Sequence, residues 1–315
     1  MADTTIPALP AGSAATTQPQ GFRARISGSL NYLLVLPTLL GILTFTVWPI
    51  LAGAWGSLSL QNQAHQKPVF AGLDNYAALV SDPLFWRVIG NTLIYTLGTV
   101  PASIALALLM ALLLNRKARG IGWLRSAFFY PTMMPMISVA AIWLFMYNPQ
   151  IGLVNGALQA LHLGQPNWLG DDSFTLPALM ILGIWKQAGY LMIFYLAGLQ
   201  SLPRDVYEAA DLDGAGPIQT LSRITWPLLG GTTLFVATIA IAGAFQTADQ
   251  IYIMTDGGPN NASNLLLFHT YVTAFRFGDL GTAQALTVVL LLMLLVVTTA
   301  NLVFGGRGAY YEDST

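Results

Sequence analysis

The chain contains no cysteine, which excludes disulfides and thiolate metal centres. Charge is nearly as scarce, at 9% of 315 residues with a net of −1. A balance that small gives no footing for nucleic acid, whose recognition needs a basic face. Only three lysines occur, Lys67, Lys117 and Lys186, and none follows a glycine. A GxxxxGK[ST] phosphate loop is therefore missing, so the chain is not itself a typical P-loop ATPase. GxSxG and HExxH are missing too. His65, His162 and His269 lack metal-ligand spacing and read as ordinary solvated or interfacial histidines. Nothing supports an enzyme or a metal site in this chain.

What is abundant is apolar surface. The chain is 55% hydrophobic with a mean hydropathy of +0.60, a composition typical of polytopic membrane proteins. A helix needs ~20 apolar residues to cross the hydrocarbon core. Stretches between charges, trimmed by hydropathy, give spans near 30–56, 88–114, 124–147, 176–199, 229–252 and 281–304. The expected fold is all-α: a polytopic membrane protein with six transmembrane helices and both termini on one side. Arg23, Arg25, Arg116, Lys117, Arg119, Arg125, Arg204, Arg223 and Arg307 fall on that side, against Lys67, Arg87 and Arg276 on the other. The bias of Lys and Arg puts the termini in the cytoplasm. Residues 1–27, rich in Ala, Thr, Pro and Gln, read as a disordered tail, 28–305 as the membrane domain and 306–315 as a C-terminal tail.

The outer loops carry patterns of their own. Leu73, Tyr76, Ala77, Val80 and Leu84 have helical spacing, a short amphipathic helix is expected around 151–162, and "TDGGPNNASN" is turn-rich. They read as interfacial cover for the bundle or as a docking surface for an outside partner. Pro37, Pro49, Pro101, Pro131 and Pro135 lie inside spans. Each removes a backbone hydrogen bond and kinks its helix, for packing or to line a transport route.

One cytoplasmic stretch stands apart. "EAADLDGAG", Glu208 to Gly216, gathers acids and small side chains between two apolar runs. From Asp205 it reads as a short helix with acids in the early turns, where the dipole favours them. Gly214 stops it in the left-handed cap conformation, and "GPIQTLSRITWP" follows as a second helix with Pro217 in its first turn. Ala209, Ala210 and Ala215 leave part of the surface without bulk. The pattern alone fits a helix that slides into a partner's groove or a solvated connector.

The run Glu208-Ala209-Ala210 … Asp213-Gly214-Ala215 … Ile224 … Pro227 resembles the EAA signature of permease subunits of bacterial binding-protein-dependent ABC importers. "GLDNYAALVSDPLFWRVIGNTLIYT", "IWKQAGYLMIFYLAGLQSLP" and "FQTADQIYIMTDGGPNNASN" resemble the carbohydrate-type branch, so the likeness runs from about residue 30 to 305. Gly216-Pro217 departs from it, since relatives usually carry Ser or another polar cap there; Gly216 is expected to serve. The resemblance implies that loop 203–227 is the coupling helix, with Glu208, Ala209, Ala210, Asp213, Gly214 and Ala215 against a cytoplasmic ATPase. It implies two ABC ATPase subunits, which hold the ATP and Mg, a second homologous permease forming a heterodimer, and an extracytoplasmic solute-binding protein, all in the bacterial cytoplasmic membrane.

Lys186 is the only charge deep in a span; the insertion cost of ~2.5–3.5 kcal/mol makes it a functional candidate. Trp185 and Tyr190 flank it with rings suited to sugar faces. Gln246 and Asp249 lie one helical turn apart in the fifth span. These five are candidate solute contacts. The competing reading is a buried Lys186–Asp249 pair, or Lys186 capping carbonyls, that fixes packing alone. The branch implies a sugar, or glycerol 3-phosphate or a glycerophosphodiester; one buried cation favours a neutral sugar. A gradient-driven secondary transporter is the rival class, although the inverted repeats and paired mid-membrane acids often seen there are not found.

Overall fold

The computed structural model describes residues 35–306 except position 117; the expected tail 1–27 lies outside the described residues, as does the expected tail 306–315 beyond Gly306, which ends the last helix. The chain divides into a unit ending at Ala52 and a unit from Gly53 onward. Helix α1, Val35–Gly56, is apolar and contains a π-helical turn at Leu43–Val47.

In the second unit a short hairpin comes first, β1 (Ser59–Leu60) antiparallel to β2 (Val69–Phe70), which periodicity did not signal. Then follow α2 (Asp74–Ser81), α3 (Pro83–Leu114), α4 (Ile121–Met133), α5 (Met136–Met146) and α6 (Leu153–Ala160). The helices α7 (Asp172–Ser201) and α8 (Arg204–Leu212) come next, then α9 (217–228) with a π-helical turn at Leu221–Thr225, and α10 (Gly230–Phe245). The chain closes with α11 (Asp249–Met254), α12 (266–276, its last turn a π-helix) and α13 (Leu280–Gly306). The helix expected around 151–162 is present as α6, and Tyr76, Ala77 and Val80 of the 73–84 pattern lie in α2, whereas Leu84 falls in α3 beyond Asp82, which caps both helices.

Among the described residues five helices are long and apolar enough to cross a membrane: α1, α3, α7, α10 with α11, and α13. Their edges differ from the hydropathy-trimmed spans because caps, not hydropathy, set where a helix starts. The Asp82 side chain accepts from Leu84 N, and Pro83 takes the first helical position, so α3 begins five residues before the expected 88. Asp171 accepts from Ser173 N and starts α7 at 172. At ~1.5 Å per residue the 32 residues of α3 run about 48 Å, longer than the ~30 Å hydrocarbon core.

The third span is different. The expected single helix 124–147 is broken into α4 and α5, bent by 100°. Met134 is extended (φ −77°, ψ 137°), the conformation a following proline favours, and Pro135 has no N–H with which to continue the ladder. The pair makes a sixth crossing only if counted as one span.

Around this break the core is tight. α3 and α7 pack along their lengths, with Leu179, Leu182, Leu191, Met192 and Tyr195 fully enclosed. Small residues permit the approach: a Cβ on Gly189 would collide with the Phe128 carbonyl of α4, and one on Gly183 would press on the Tyr95 hydroxyl. Buried Thr92, Thr96 and Thr99 return their hydroxyls to carbonyls four residues back in α3, which satisfies them without water. Thr92 also accepts from Leu266 N at 2.9 Å, tying the start of α12 to α3.

The hairpin end of the bundle is ordered by polar contacts. Asp256, Asn260 and Asn261 adopt positive φ in the turn-rich run, conformations Asn and Asp tolerate. Asn91 donates to the carbonyls of Asn261 and Asn264. Arg276 forks onto the Asp256 carboxylate at 2.7 and 2.8 Å and lies 5.5 Å from the Tyr252 ring centre. That hydrogen-bonded guanidinium holds the Asp256 carboxyl below its ordinary pKa.

Candidate functional site

Two places concentrate polar chemistry, one at each level of the bundle. The first is the α8–α9 loop. Its acidic first turn includes Asp205, and Gly214 closes the helix at φ +74°. Ala215 N donates to the Ala210 carbonyl (2.9 Å) and Gly214 N to the Asp211 carbonyl (3.2 Å), the paired bonds of a Schellman cap. Gly216 is the N-cap of α9 and Pro217 its first residue. The Tyr207 hydroxyl meets Thr225 Oγ1 at 3.0 Å and fastens α8 to α9. Of the signature residues, Ala210 is buried at the fold of this turn, whereas Glu208, Ala209, Asp213 and Gly214 are exposed and Ala215 is half-buried.

The loop also displays apolar groups where a solvated connector would carry polar ones. Leu212 is 89% exposed and Ile218 83%, one on each side of the Gly214 turn. Behind the helix lies a groove of about 750 Å³, lined by Arg116, Arg125 and Arg204 together with Glu208 and Asp211. Arg125 Nη2 donates to the Leu114 carbonyl at 2.8 Å, closing the end of α3.

The second place surrounds the broken span. Pro135 deprives the Pro131 carbonyl of the amide four residues ahead and leaves it a long 3.4 Å bond from Met134 N, and Met134, being extended, turns its own carbonyl out of the ladder. In hydrocarbon an unsatisfied carbonyl costs several kcal/mol. Lys186 of α7 meets both: its Nζ donates to Pro131 O at 3.0 Å and to Met134 O at 2.7 Å. It therefore caps carbonyls, one of the two packing arrangements anticipated above. No Lys186–Asp249 ion pair occurs among the described residues.

Lys186 and Tyr190 line a cavity of about 210 Å³ with Thr132, Gln187, Thr247 and Gln250. The Thr132 hydroxyl is buried there without a hydrogen-bond partner. Gln187 donates to Ala240 O, and buried Gln250 donates to the Tyr95 hydroxyl at 2.8 Å, bridging α11 and α3. The other candidates lie elsewhere. Asp249 lines a larger cavity of about 570 Å³ with Tyr252, Tyr271 and Gln284. Trp185 turns to Trp143, 5.6 Å between ring centres, and Gln246 is exposed at the end of α10. Thr132, Gln187, Thr247 and Gln250 were not singled out from sequence, though a polar side chain inside an apolar span was signal enough to do so.

The family described as binding-protein-dependent transport system inner membrane component matches residues 103–306. A probable ABC transporter permease of Bacillus subtilis is 33% identical over 89% of this chain and 97% of its own length. A trehalose/maltose transport system permease of Thermococcus litoralis is also 33% identical, over 88% and 93%. An sn-glycerol-3-phosphate transport system permease of Agrobacterium fabrum is 30% identical over 90% and 96%. In fold, the chain is similar to a solved bacterial ABC transporter involved in import of the acidic polysaccharide alginate, with a TM-score of 0.77 at 23% identity over 91% of this chain and 98% of that one.

Proposed function

This chain belongs to the binding-protein-dependent transport permeases, integral membrane components of ABC transporters of the sugar and glycerol-phosphate type, and we propose that it is one permease subunit of an ATP-driven sugar importer in a bacterial cytoplasmic membrane. It crosses six times, α4 and α5 together making the third crossing, with both termini cytoplasmic. A second homologous permease stands beside it. Two cytoplasmic ABC ATPase subunits bind and hydrolyse Mg-ATP, and an extracytoplasmic binding protein delivers solute to the hairpin end.

The observation that carries this reading is the α8–α9 loop. A left-handed cap fixes its corner, and Leu212 and Ile218 stand almost fully exposed beside Glu208 and Asp213. Exposed apolar groups rimmed by charge are the surface a protein partner covers. Seated in a cleft of the ATPase, the loop transmits nucleotide-driven closure to α7 and α10, which it joins directly.

Solute is contacted at the broken span. Lys186 and Tyr190 offer a donor and a ring at the smaller cavity, and Asp249 lines the larger one beside Tyr252 and Tyr271. Two of the three Lys186 donors are already engaged by carbonyls. One remaining donor suits the hydroxyls of a neutral di- or oligosaccharide better than a phosphate. The relatives named for trehalose/maltose and for glycerol 3-phosphate mark the two solute classes to be compared.

The test is isolation of the tagged chain in mild detergent with mass spectrometry of what accompanies it, and uptake measured with labelled maltose and glycerol 3-phosphate. A Walker-motif ATPase and a second six-span permease should co-purify, and both should be lost on combining Glu208→Trp with Gly214→Leu. Recovery of the chain alone, with uptake indifferent to ATP, would replace the importer by a gradient-driven carrier.

A further inference from the structure

We propose that Lys186 is the positioning residue that holds the third span broken at Met134–Pro135, and that it links the geometry of this break to the cavity beside it. The break leaves the Met134 carbonyl without an amide partner and the Pro131 carbonyl with only a long bond, 3.4 Å, from Met134 N. Pro135 lacks the N–H that would serve Pro131 O, and the extended Met134 aims its carbonyl away from α5. One ammonium on a neighbouring helix supplies both bonds.

The rest of the α7 face is built to bring it there. Gly189, one turn beyond Lys186, lies so close to the Phe128 carbonyl that any side chain would strike it. α7 is thus seated on α4 just before the break. On the other side Thr132 and Lys186 share the cavity wall, and the Thr132 hydroxyl is buried with no partner. An oxygen entering that cavity meets the unused N–H of Lys186 and the unused Thr132 hydroxyl at once. Binding that third N–H reorients the ammonium whose other two donors hold Pro131 O and Met134 O, and through it the bend responds to what the cavity holds. The transport consequence rests on the permease reading above; the control of the bend does not.

Because the chain has no cysteine, two introduced ones are its only labelling sites. Trp123 on α4 is 80% exposed and Phe145 on α5 is 57% exposed, so both accept spin labels. At a rise of ~1.5 Å per residue, backbone points at these positions lie about 21 Å apart across the 100° bend and about 33 Å apart in a continuous helix. The distance is measured by pulsed dipolar spectroscopy on the complex drawn from membranes through a tag on this chain. Native protein and Lys186→Arg should give one narrow short distance. Lys186→Met, which keeps the stem and removes the donors, should broaden the distribution toward the longer one and abolish uptake, which Lys186→Arg retains.

Pro135→Ala returns the missing amide to Pro131 O. It should lengthen the distance by itself, and it should restore assembly to Lys186→Met if that variant alone fails to assemble. A Lys186→Met complex with the native narrow distance would overturn the proposal, as would a Lys186→Met, Pro135→Ala double variant no better assembled than Lys186→Met. If no ATPase accompanies the chain, the importer reading falls while the distances still judge the break.

Discussion

Gly214→Val should loosen the corner between α8 and α9 without disturbing the membrane bundle. Nothing lies within 4 Å of where a Cβ on Gly214 would sit, so no neighbour is struck. The cost is in the backbone alone: φ is +74°, and an L-residue there loses roughly 1–2 kcal/mol, with a β-branched side chain at the upper end. A loss of that size changes a local equilibrium by a factor of about 5–30. The reporter is the Ala215 amide, which donates to Ala210 O only while the cap is closed. Its hydrogen exchange, read by mass spectrometry on peptides covering 204–220, should accelerate by that factor in Gly214→Val and by less in Gly214→Asn, because Asn tolerates the left-handed region. Gly216→Ala is the control: its φ of −73° is ordinary and its Cβ also meets nothing, so Ala215 exchange should stay as in the native chain. Solute-stimulated ATP hydrolysis should fall in the same order, Gly214, Asn, Val. Native exchange at Ala215 in Gly214→Val would refute the claim that left-handed backbone at this position fixes the corner.

Three further outcomes follow from the packing. Gly189→Val drives a side chain into the Phe128 carbonyl, backbone that cannot swing aside; overpacking of this kind costs typically 1–3 kcal/mol and should lower the melting temperature of the purified chain. Thr92→Val leaves the Leu266 amide without its acceptor, a buried loss of about 1–3 kcal/mol that thermal melts and exchange at Leu266 would detect. His269 is held below its ordinary pKa of 6.5 by burial, partly opposed by the Asp82 charge. Because the folded pKa is the lower one, stability is full above pH 6.5 and is lost as pH falls through the folded value; in His269→Gln the fall in melting temperature over that window should shrink.

The membrane class, five of the apolar spans and the helix–glycine–helix geometry of the 203–227 loop were legible because each depends on local pattern. An apolar run long enough to cross hydrocarbon is visible one residue at a time. The Schellman corner at Gly214 needs only a helix, a glycine and a following proline, all contiguous in 204–217. Helix starts were less legible: α3 and α7 begin four or five residues before hydropathy suggested, at Asp82 and Asp171, because a cap is a side-chain bond that an apolarity window averages away.

The broken span divides the two kinds of knowledge most clearly. Pro131 and Pro135 announced a weakened helix, and Lys186 announced a charge in need of a partner. Nothing in the sequence joined them, because they lie 55 residues apart along the chain and meet only once α7 is packed on α4. Gln246 and Asp249, paired on helical spacing, point to different surroundings because the helix ends at Phe245 and restarts at Asp249. By itself the sequence determined that the chain belongs in a membrane and where the loop between α7 and α10 must turn, since solvation and backbone sterics act residue by residue. Only the tertiary structure decided which polar atom satisfies which, and therefore which groups share a cavity, because those bonds depend on how separate helices stack.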